Sequence, residues 1–314
     1  MNHINIDKVA CIGAGTIGSS WTTYFSLKGL KVNIQDLNED ILEDSKDKIN
    51  SNFDYLQKNG VIGESEIEAA KKNITYTTSL EEAVSDVKFI QENVLEKYEI
   101  KEKVIKEIDD FVKDDVILAS SSSGLLASKI QSFSKYPENV IIAHPYNPPH
   151  LIPLVEIVKG NASDKTVKVA KNFYKKIGKV PIVIYKEVPG HVANRIQAAV
   201  WRESIDLVKN GVCTVEDVDA AISNGPGLRW ALMGPNMIFH LGGGEKGIKG
   251  FLEQFQEPFE SWWKDMADWN EFPENFQEIL SDGITQEMGD ETISDKVKWR
   301  DEKLIEILKV LDLM

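Results

Sequence analysis

The run Val9-Ala10-Cys11-Ile12-Gly13-Ala14-Gly15-Thr16-Ile17-Gly18 constrains this chain more than any other stretch, because an apolar strand feeds directly into a Gly-x-Gly-x-x-Gly turn. Gly13 permits the tight turn, Gly15 lets a pyrophosphate approach the backbone, and Gly18 lets the following helix pack closely on the sheet. The phosphates then sit at that helix's N-terminus, where Thr16, Ile17 and Gly18 offer free N–H groups and the dipole favours an anion. Glycine turns after strands are common, so the pattern needs its context. A helical segment from Ser19 to Lys28 ends at Gly29, and a second strand, Lys31-Val32-Asn33-Ile34-Gln35, stops at Asp36. A carboxylate at that strand end hydrogen-bonds the adenosine ribose hydroxyls and repels a 2′-phosphate, so the expected cofactor is NAD rather than NADP.

A chain of 314 residues suits one large or two medium domains. No window approaches the ~18 continuous apolar residues of a membrane span, and Met1-Asn2-His3-Ile4-Asn5 does not read as the start of a signal peptide. Cys11 and Cys213 lie far apart, which supports neither a disulfide framework nor a cysteine metal site. The expectation is a soluble, cytoplasmic protein without a metal. The net charge of −14 is unevenly spread: from Val188 onward 12 Lys and Arg face 23 Asp and Glu, a net of −11. Nucleic acid and anionic membrane surfaces are poor partners for such a surface, although acidity also simply keeps a protein soluble.

Short apolar strands alternate with helical stretches to about residue 185. After a polar helical pair, Glu39 to Gln57 and Glu64 to Lys72, strands are expected at 74–77, 87–91, 116–119, 140–143, 154–158 and 180–184. Helices are expected from Tyr98 to Phe111 and from Lys165 to Ile177. At Pro189-Gly190 the pattern turns helical: His191 to Asn210, Val215 to Ser223, Met233 to Leu241 and several more segments. The expected fold is α/β, with an N-terminal Rossmann-type, mostly parallel sheet over 1–187 and an all-α domain over 188–314. A small molecule would bind in the crevice between them.

Chemistry concentrates at a few positions. The strand Val140 to Ala143 runs into His144, where strand C-termini of an open α/β sheet face the ligand. Glu156 is embedded in Leu154-Val155-Glu156-Ile157-Val158, and a carboxylate in so apolar a strand must be paired or strongly perturbed. Beside His144 it would hold one imidazole nitrogen and leave the other basic, as needed to take a proton from an alcohol while hydride leaves for a nicotinamide. Read singly, His144 also fits a strand-end turn and Glu156 a half-exposed sheet edge. Ser120-Ser121-Ser122-Ser123-Gly124 presents hydroxyls at another strand end, or caps a helix. Asn194 and Arg195 fall in the first turn of the helix after Pro189-Gly190, as site residues or plain exposed positions.

Together, His144-Pro145-Tyr146-Asn147-Pro148, Glu156 in its apolar strand, and Val188-Pro189-Gly190-His191-Val192-Ala193-Asn194-Arg195 resemble the 3-hydroxyacyl-CoA dehydrogenase superfamily over essentially the whole chain. The resemblance implies His144 as catalytic base, Glu156 as its partner, and Ser123 and Asn194 as the residues that orient the substrate oxygen. It implies cofactor contacts at Glu96, Lys101 and Asn147, and a homodimer formed through the helical domain. The family's Asn-Thr before the serine is here Ser121-Ser122, and its aromatic after the histidine is Pro145. The His-Pro-x-Asn-Pro-Pro form looks instead like the branch holding lambda-crystallin (L-gulonate 3-dehydrogenase) and the L-carnitine dehydrogenases. Gly225-Pro226-Gly227-Leu228-Arg229-Trp230 looks most like the latter.

That branch acts on small free 3-hydroxy acids. Six of seven tryptophans follow Val188, and Trp is the best face for a quaternary ammonium. Trp201 and Trp230 are the candidates for such a face, and Arg229 or Arg195 for a carboxylate fork, although core or interface positions explain most tryptophans. The expectation is NAD-dependent oxidation of an L-3-hydroxy acid, L-carnitine first. A 3-hydroxyacyl-CoA, L-gulonate, or a structural NAD-binding protein without turnover are the alternatives.

Overall fold

A computed structural model describes residues 6–314. Its eight strands are β1 Lys8–Ile12, β2 Lys31–Gln35, β3 Ile74–Thr77, β4 Phe89–Glu92, β5 Ile117–Ser120, β6 Val140–Pro145, β7 Leu154–Val158 and β8 Val180–Ile184. They form one sheet in the order β3-β2-β1-β4-β5-β6-β7-β8. Neighbours are parallel except β6 and β7, which run antiparallel. Chain length explains the exception. Residues 146–153 are too few for the crossover of about a dozen residues that a parallel neighbour needs.

The strands are apolar on both sides because helices cover both faces. In β1, Val9 and Cys11 enter one core while Ala10 and Ile12 enter the other, following the two-residue period of a strand. Seven helices alternate with the strands: α1 Thr16–Leu27, α2 Glu39–Lys58, α3 Glu64–Lys72, α4 Leu80–Val84, α5 Tyr98–Asp109, α6 Ala127–Gln131 and α7 Asp164–Lys176. Trp21 and Phe25 of α1, Phe53 of α2 and Tyr174 of α7 fill the first core, where Trp21 stacks on Phe25 at 4.8 Å between ring centroids. Ile105 and Ile108 of α5 and Ile130 of α6 fill the second.

Three local differences from the sequence reading have plain causes. α1 starts at Thr16, not Ser19, because Gly15 is itself the N-cap and the glycine turn runs straight into the helix. α4 and α6 were not expected; at five residues each, they are too short for a 3.6-residue apolar period to be read. β6 continues through His144 and Pro145, so the histidine is a strand residue.

The chain divides into two compact units, Met1–Arg195 with Leu308–Met314, and Ile196–Ile307. The division falls inside α8 Ala193–Lys209. The second unit is built of the rest of α8 with α9 Val215–Asn224, α10 Pro226–Leu232, α11 Pro235–Gly242, α12 Ile248–Asp265, α13 Phe276–Met288 and most of α14 Ile293–Val310. The segment expected from Met233 to Leu241 starts instead at Pro235, which takes the first helical position after Gly234. Within this unit α9 and α13 cross closely at Gly283, where a Cβ would lie 2.2 Å from a methyl of Val215. Among the described residues no helix is long and apolar enough to cross a membrane.

Candidate active site

The glycine turn fits a dinucleotide for reasons that differ at each glycine. Gly13 has φ +91°, and a Cβ there would meet the Asn93 carbonyl carbon at 2.8 Å. A Cβ on Gly18 would sit 1.8 Å from the Gly13 carbonyl oxygen. Gly15 faces open space, with nothing within 4 Å of where a Cβ would stand. Gly13 and Gly18 therefore serve the protein's own packing, whereas Gly15 keeps room for something that approaches the backbone. Thr16 and Gly15 are exposed there and Ile17 is half-buried.

Asp36 follows β2 and turns back on this loop. Its Oδ2 accepts from the Ala14 N–H at 2.6 Å and its Oδ1 from the Leu37 N–H at 2.7 Å. The carboxylate is thus fixed at the strand end beside the turn, where a ribose diol would meet it.

A second group of carboxylates organises the serine loop after β5. Glu96 Oε1 accepts from Ser122 Oγ at 2.6 Å and from the N–H groups of Ser123 and Gly124 at 2.9 Å each. Burial raises its pKa, but these donors and Lys101 outweigh it and hold the carboxyl below its ordinary value. Lys101 is 1% exposed, and its ammonium donates to Glu92 Oε1 at 2.8 Å and to the Val94 carbonyl at 3.3 Å. Glu96 lies 3.5 Å away on its other side. The side chain expected as a cofactor contact is therefore packed between two carboxylates. The buried Glu92 carboxylate draws the ammonium inward, where it pairs with Glu92 and faces Glu96. Ser123 is exposed, with its hydroxyl outside the Glu96 network.

His144 and Glu156 are direct cross-strand partners in the β6–β7 pair. Nδ1 of His144 lies 2.9 Å from Glu156 Oε2. Glu156 is fully buried, and its Oε1 accepts from the N–H groups of Val192 and Ala193 at 3.0 and 2.9 Å. Burial pushes its pKa up, yet the hydrogen bonds from His144, Ala193 and Val192 prevail and keep it low. An ionised carboxylate can only accept, so Nδ1 carries a proton, and in the neutral ring the lone pair is on Nε2. Asn194 follows in the first turn of α8, half-buried, on the same backbone segment that grips Glu156.

Asn147 lies exposed in the β6–β7 connection. With Thr16, Ser20, Asp47, Lys48 and His150 it lines a cleft of about 340 Å³. Ser20 Oγ accepts from the His150 N–H at 2.9 Å and meets His150 Nδ1 at 2.8 Å.

Trp201, Arg229 and Trp230 belong to the second unit. Trp201 is 49% exposed on α8, edge-on to Phe272 at 5.6 Å, and Arg229 and Trp230 are exposed on α10. Arg195 is exposed and donates to the Pro189 carbonyl at 3.4 Å.

Two participants were missed by sequence reasoning. Glu92 ends β4 without any motif around it. His191 is 2% exposed, its ring centroid 5.3 Å from that of His144. The one available signal was an imidazole placed directly after Pro189-Gly190 and three residues before Asn194.

Residues 8–188 match the 3-hydroxyacyl-CoA dehydrogenase NAD binding domain, and residues 190–279 match the 3-hydroxyacyl-CoA dehydrogenase C-terminal domain. An L-carnitine dehydrogenase of Bacillus cereus is 40% identical over 316 residues, covering 99% of this chain and 94% of the relative. One from Oceanobacillus iheyensis is 38% identical, covering 97% and 98%. Among solved structures, a 5-formyl-3-hydroxy-2-methylpyridine 4-carboxylic acid 5-dehydrogenase, an NAD+-dependent dismutase, aligns with a TM-score of 0.80. It is 27% identical and the alignment covers 98% of this chain and 97% of that one.

Proposed function

This chain belongs to the 3-hydroxyacyl-CoA dehydrogenase family, an NAD-dependent oxidoreductase, and from that premise we propose that it oxidises L-carnitine to 3-dehydrocarnitine. The observation that carries this substrate is the set of relatives named L-carnitine dehydrogenase, alike to this chain over nearly its whole length.

Bound NAD supplies the hydride acceptor. Nε2 of His144 removes the hydroxyl proton, and Glu156 steadies the imidazolium that forms. Ser123 and Asn194 hold the reacting oxygen. Gly13, Gly15, Thr16, Ile17, Gly18, Asp36, Glu96 and Asn147 form the cofactor side, with Lys101 beneath Glu96. A face of Trp201 or Trp230 receives the trimethylammonium group, and Arg229 the carboxylate. Residues 1–187 serve as the cofactor domain and 188–314 as the substrate and dimerisation domain, in a cytoplasmic homodimer. The exposed aromatic side chains of α12, Trp262 at 54% and Trp263 at 66%, support a covered interface.

The test is NADH production from L-carnitine, L-gulonate and L-3-hydroxybutyryl-CoA at matched concentration. Preference for L-carnitine supports the reading. Preference for the thioester keeps the mechanism and overturns the substrate. NAD binding without turnover of any of the three overturns the reaction itself. Sedimentation equilibrium tests the homodimer, which a monomer mass at micromolar concentration rejects.

A further inference from the structure

His191 occupies an unusual backbone position. Its φ is +53°, directly after Gly190 at +75°. A left-handed residue that carries a Cβ is uncommon, although histidine tolerates the region better than branched side chains do. These two left-handed residues precede the Val192 and Ala193 N–H groups, both of which bond Glu156 Oε1.

The side chain makes a second link. Nε2 of His191 lies 3.2 Å from the Ser122 carbonyl oxygen. A carbonyl only accepts, so Nε2 carries the proton. That assignment leaves Nδ1 with a lone pair, and Nδ1 is buried with no hydrogen-bond partner among the described residues. Burial also pushes the His191 pKa down, with His144 adding to the effect, while the Ser122 carbonyl, Glu156 and Glu96 oppose it; the ring is neutral beside the catalytic histidine. An apolar ring would fill this space without burying an orphaned acceptor, which is costly. What the imidazole supplies in exchange is its Nε2–H.

We propose that His191 is a positioning residue that ties the serine loop to the start of α8, and so holds Ser123, Asn194 and the His144–Glu156 pair in one register. The connection is continuous. Glu96 fixes Ser122, the Ser122 carbonyl accepts a hydrogen bond from the His191 Nε2–H, and the next two N–H groups fix Glu156, which orients His144. Without the His191 bond, the loop bearing Ser123 and the turn bearing Asn194 are free to shift relative to each other. Misplacement of about 1 Å is enough to cost on the order of 100-fold in turnover. This inference rests on the roles proposed above for Ser123, Asn194 and His144.

Two substitutions separate the tie from the fold. His191→Asn keeps the left-handed backbone, which asparagine accepts readily, but its amide is too short to reach Ser122. His191→Gln places a donor at about the reach of Nε2. The expected result for H191N is a fall in kcat of roughly 10- to 100-fold with the KM for NAD little changed, and for H191Q recovery of most of that loss. An H191N enzyme as fast as the parent, or an H191Q enzyme as slow as H191N, overturns the proposal. Hydrogen exchange gives a readout independent of substrate. The Val192 and Ala193 amides are protected in the parent, exchange faster in H191N and regain protection in H191Q; unaltered protection in H191N refutes the tie. If the parent turns over none of the candidate substrates, the functional reading fails, and the exchange data still decide the role of His191.

Discussion

Glu156 spends both oxygens at once, Oε2 on His144 Nδ1 at 2.9 Å and Oε1 on the N–H groups of Val192 and Ala193. Every one of those partners is a donor. A carboxylate satisfies all three, and an amide cannot, because its NH₂ must face either the imidazole N–H or the two backbone N–H groups.

Glu156→Gln therefore disrupts the imidazole's tautomer or the α8 start. We expect turnover to fall by about 10²- to 10⁴-fold with NAD affinity intact. His144→Gln should cost at least as much. The lowered Glu156 pKa has a consequence for stability. The folded protein keeps this carboxylate ionised where the unfolded chain begins to protonate it, so its contribution is present above the ordinary carboxylate pKa and is lost as pH falls through the lowered value. Turnover of either variant equal to the parent's removes the proposed base and its partner.

The glycine turn offers a contrast between two alanines. At Gly18 a Cβ meets the Gly13 carbonyl at 1.8 Å, whereas at Gly15 it meets nothing. Gly18→Ala should lower the melting temperature and cooperativity of unfolding. Gly15→Ala should fold like the parent and lose NAD affinity by an order of magnitude or more, because only the pyrophosphate needs that space. Calorimetric titration with NAD alongside thermal melts reads both; a Gly15→Ala protein with parental affinity would show that the turn does not take the pyrophosphate.

Asp36 is held by Ala14 and Leu37 in a position to accept from a ribose diol. Removing a charged hydrogen-bonding group costs about 1.5–3 kcal/mol, or roughly 10- to 100-fold in affinity. Asp36→Ala should weaken NAD by that factor and narrow the preference over NADP. A parent enzyme that already prefers NADP contradicts the cofactor assignment.

How far the sequence carried this depended on the kind of interaction involved. The glycine turn, Asp36 and the apolar strands were legible because local geometry imposes residue types at fixed spacing. His144 and Glu156, twelve residues apart, could be suspected as partners, but only the antiparallel β6–β7 register makes them neighbours. That Lys101 is buried against Glu92 could not be read from the sequence, since the depth of a side chain is a tertiary property. His191 escaped for the same reason: its role depends on a left-handed φ and on the carbonyl of a residue 69 positions earlier.

The buried Lys101–Glu92 pair is itself testable. Glu92 is fully buried and accepts from Lys101, Ser120 and the Val94 N–H. Lys101→Met leaves that carboxylate without its counter-charge, and breaking one side of a buried pair costs about 3–5 kcal/mol. Denaturant unfolding should register that loss. A direct cofactor role would instead leave stability near the parent's and weaken NAD alone.

His150 makes the acid side of the stability profile predictable. Burial, aided by the nearby Lys179 charge, pushes its pKa down from 6.5 to about 4. Below pH 6.5 the unfolded chain binds a proton at this position that the folded protein refuses, so stability falls as pH drops from about 6.5 toward 4 and levels off below. A difference of this size corresponds to roughly 3 kcal/mol across the window. Its cause is local: the ring is buried against Ser20, whose Oγ accepts from the His150 backbone N–H and lies 2.8 Å from Nδ1. His150→Gln does not titrate there. Urea unfolding at about pH 7 and about pH 4.5 should therefore show a smaller loss for the variant than for the parent, by about 2 kcal/mol. Equal losses in the two proteins would assign the acid sensitivity to other groups and leave His150 titrating near its ordinary value.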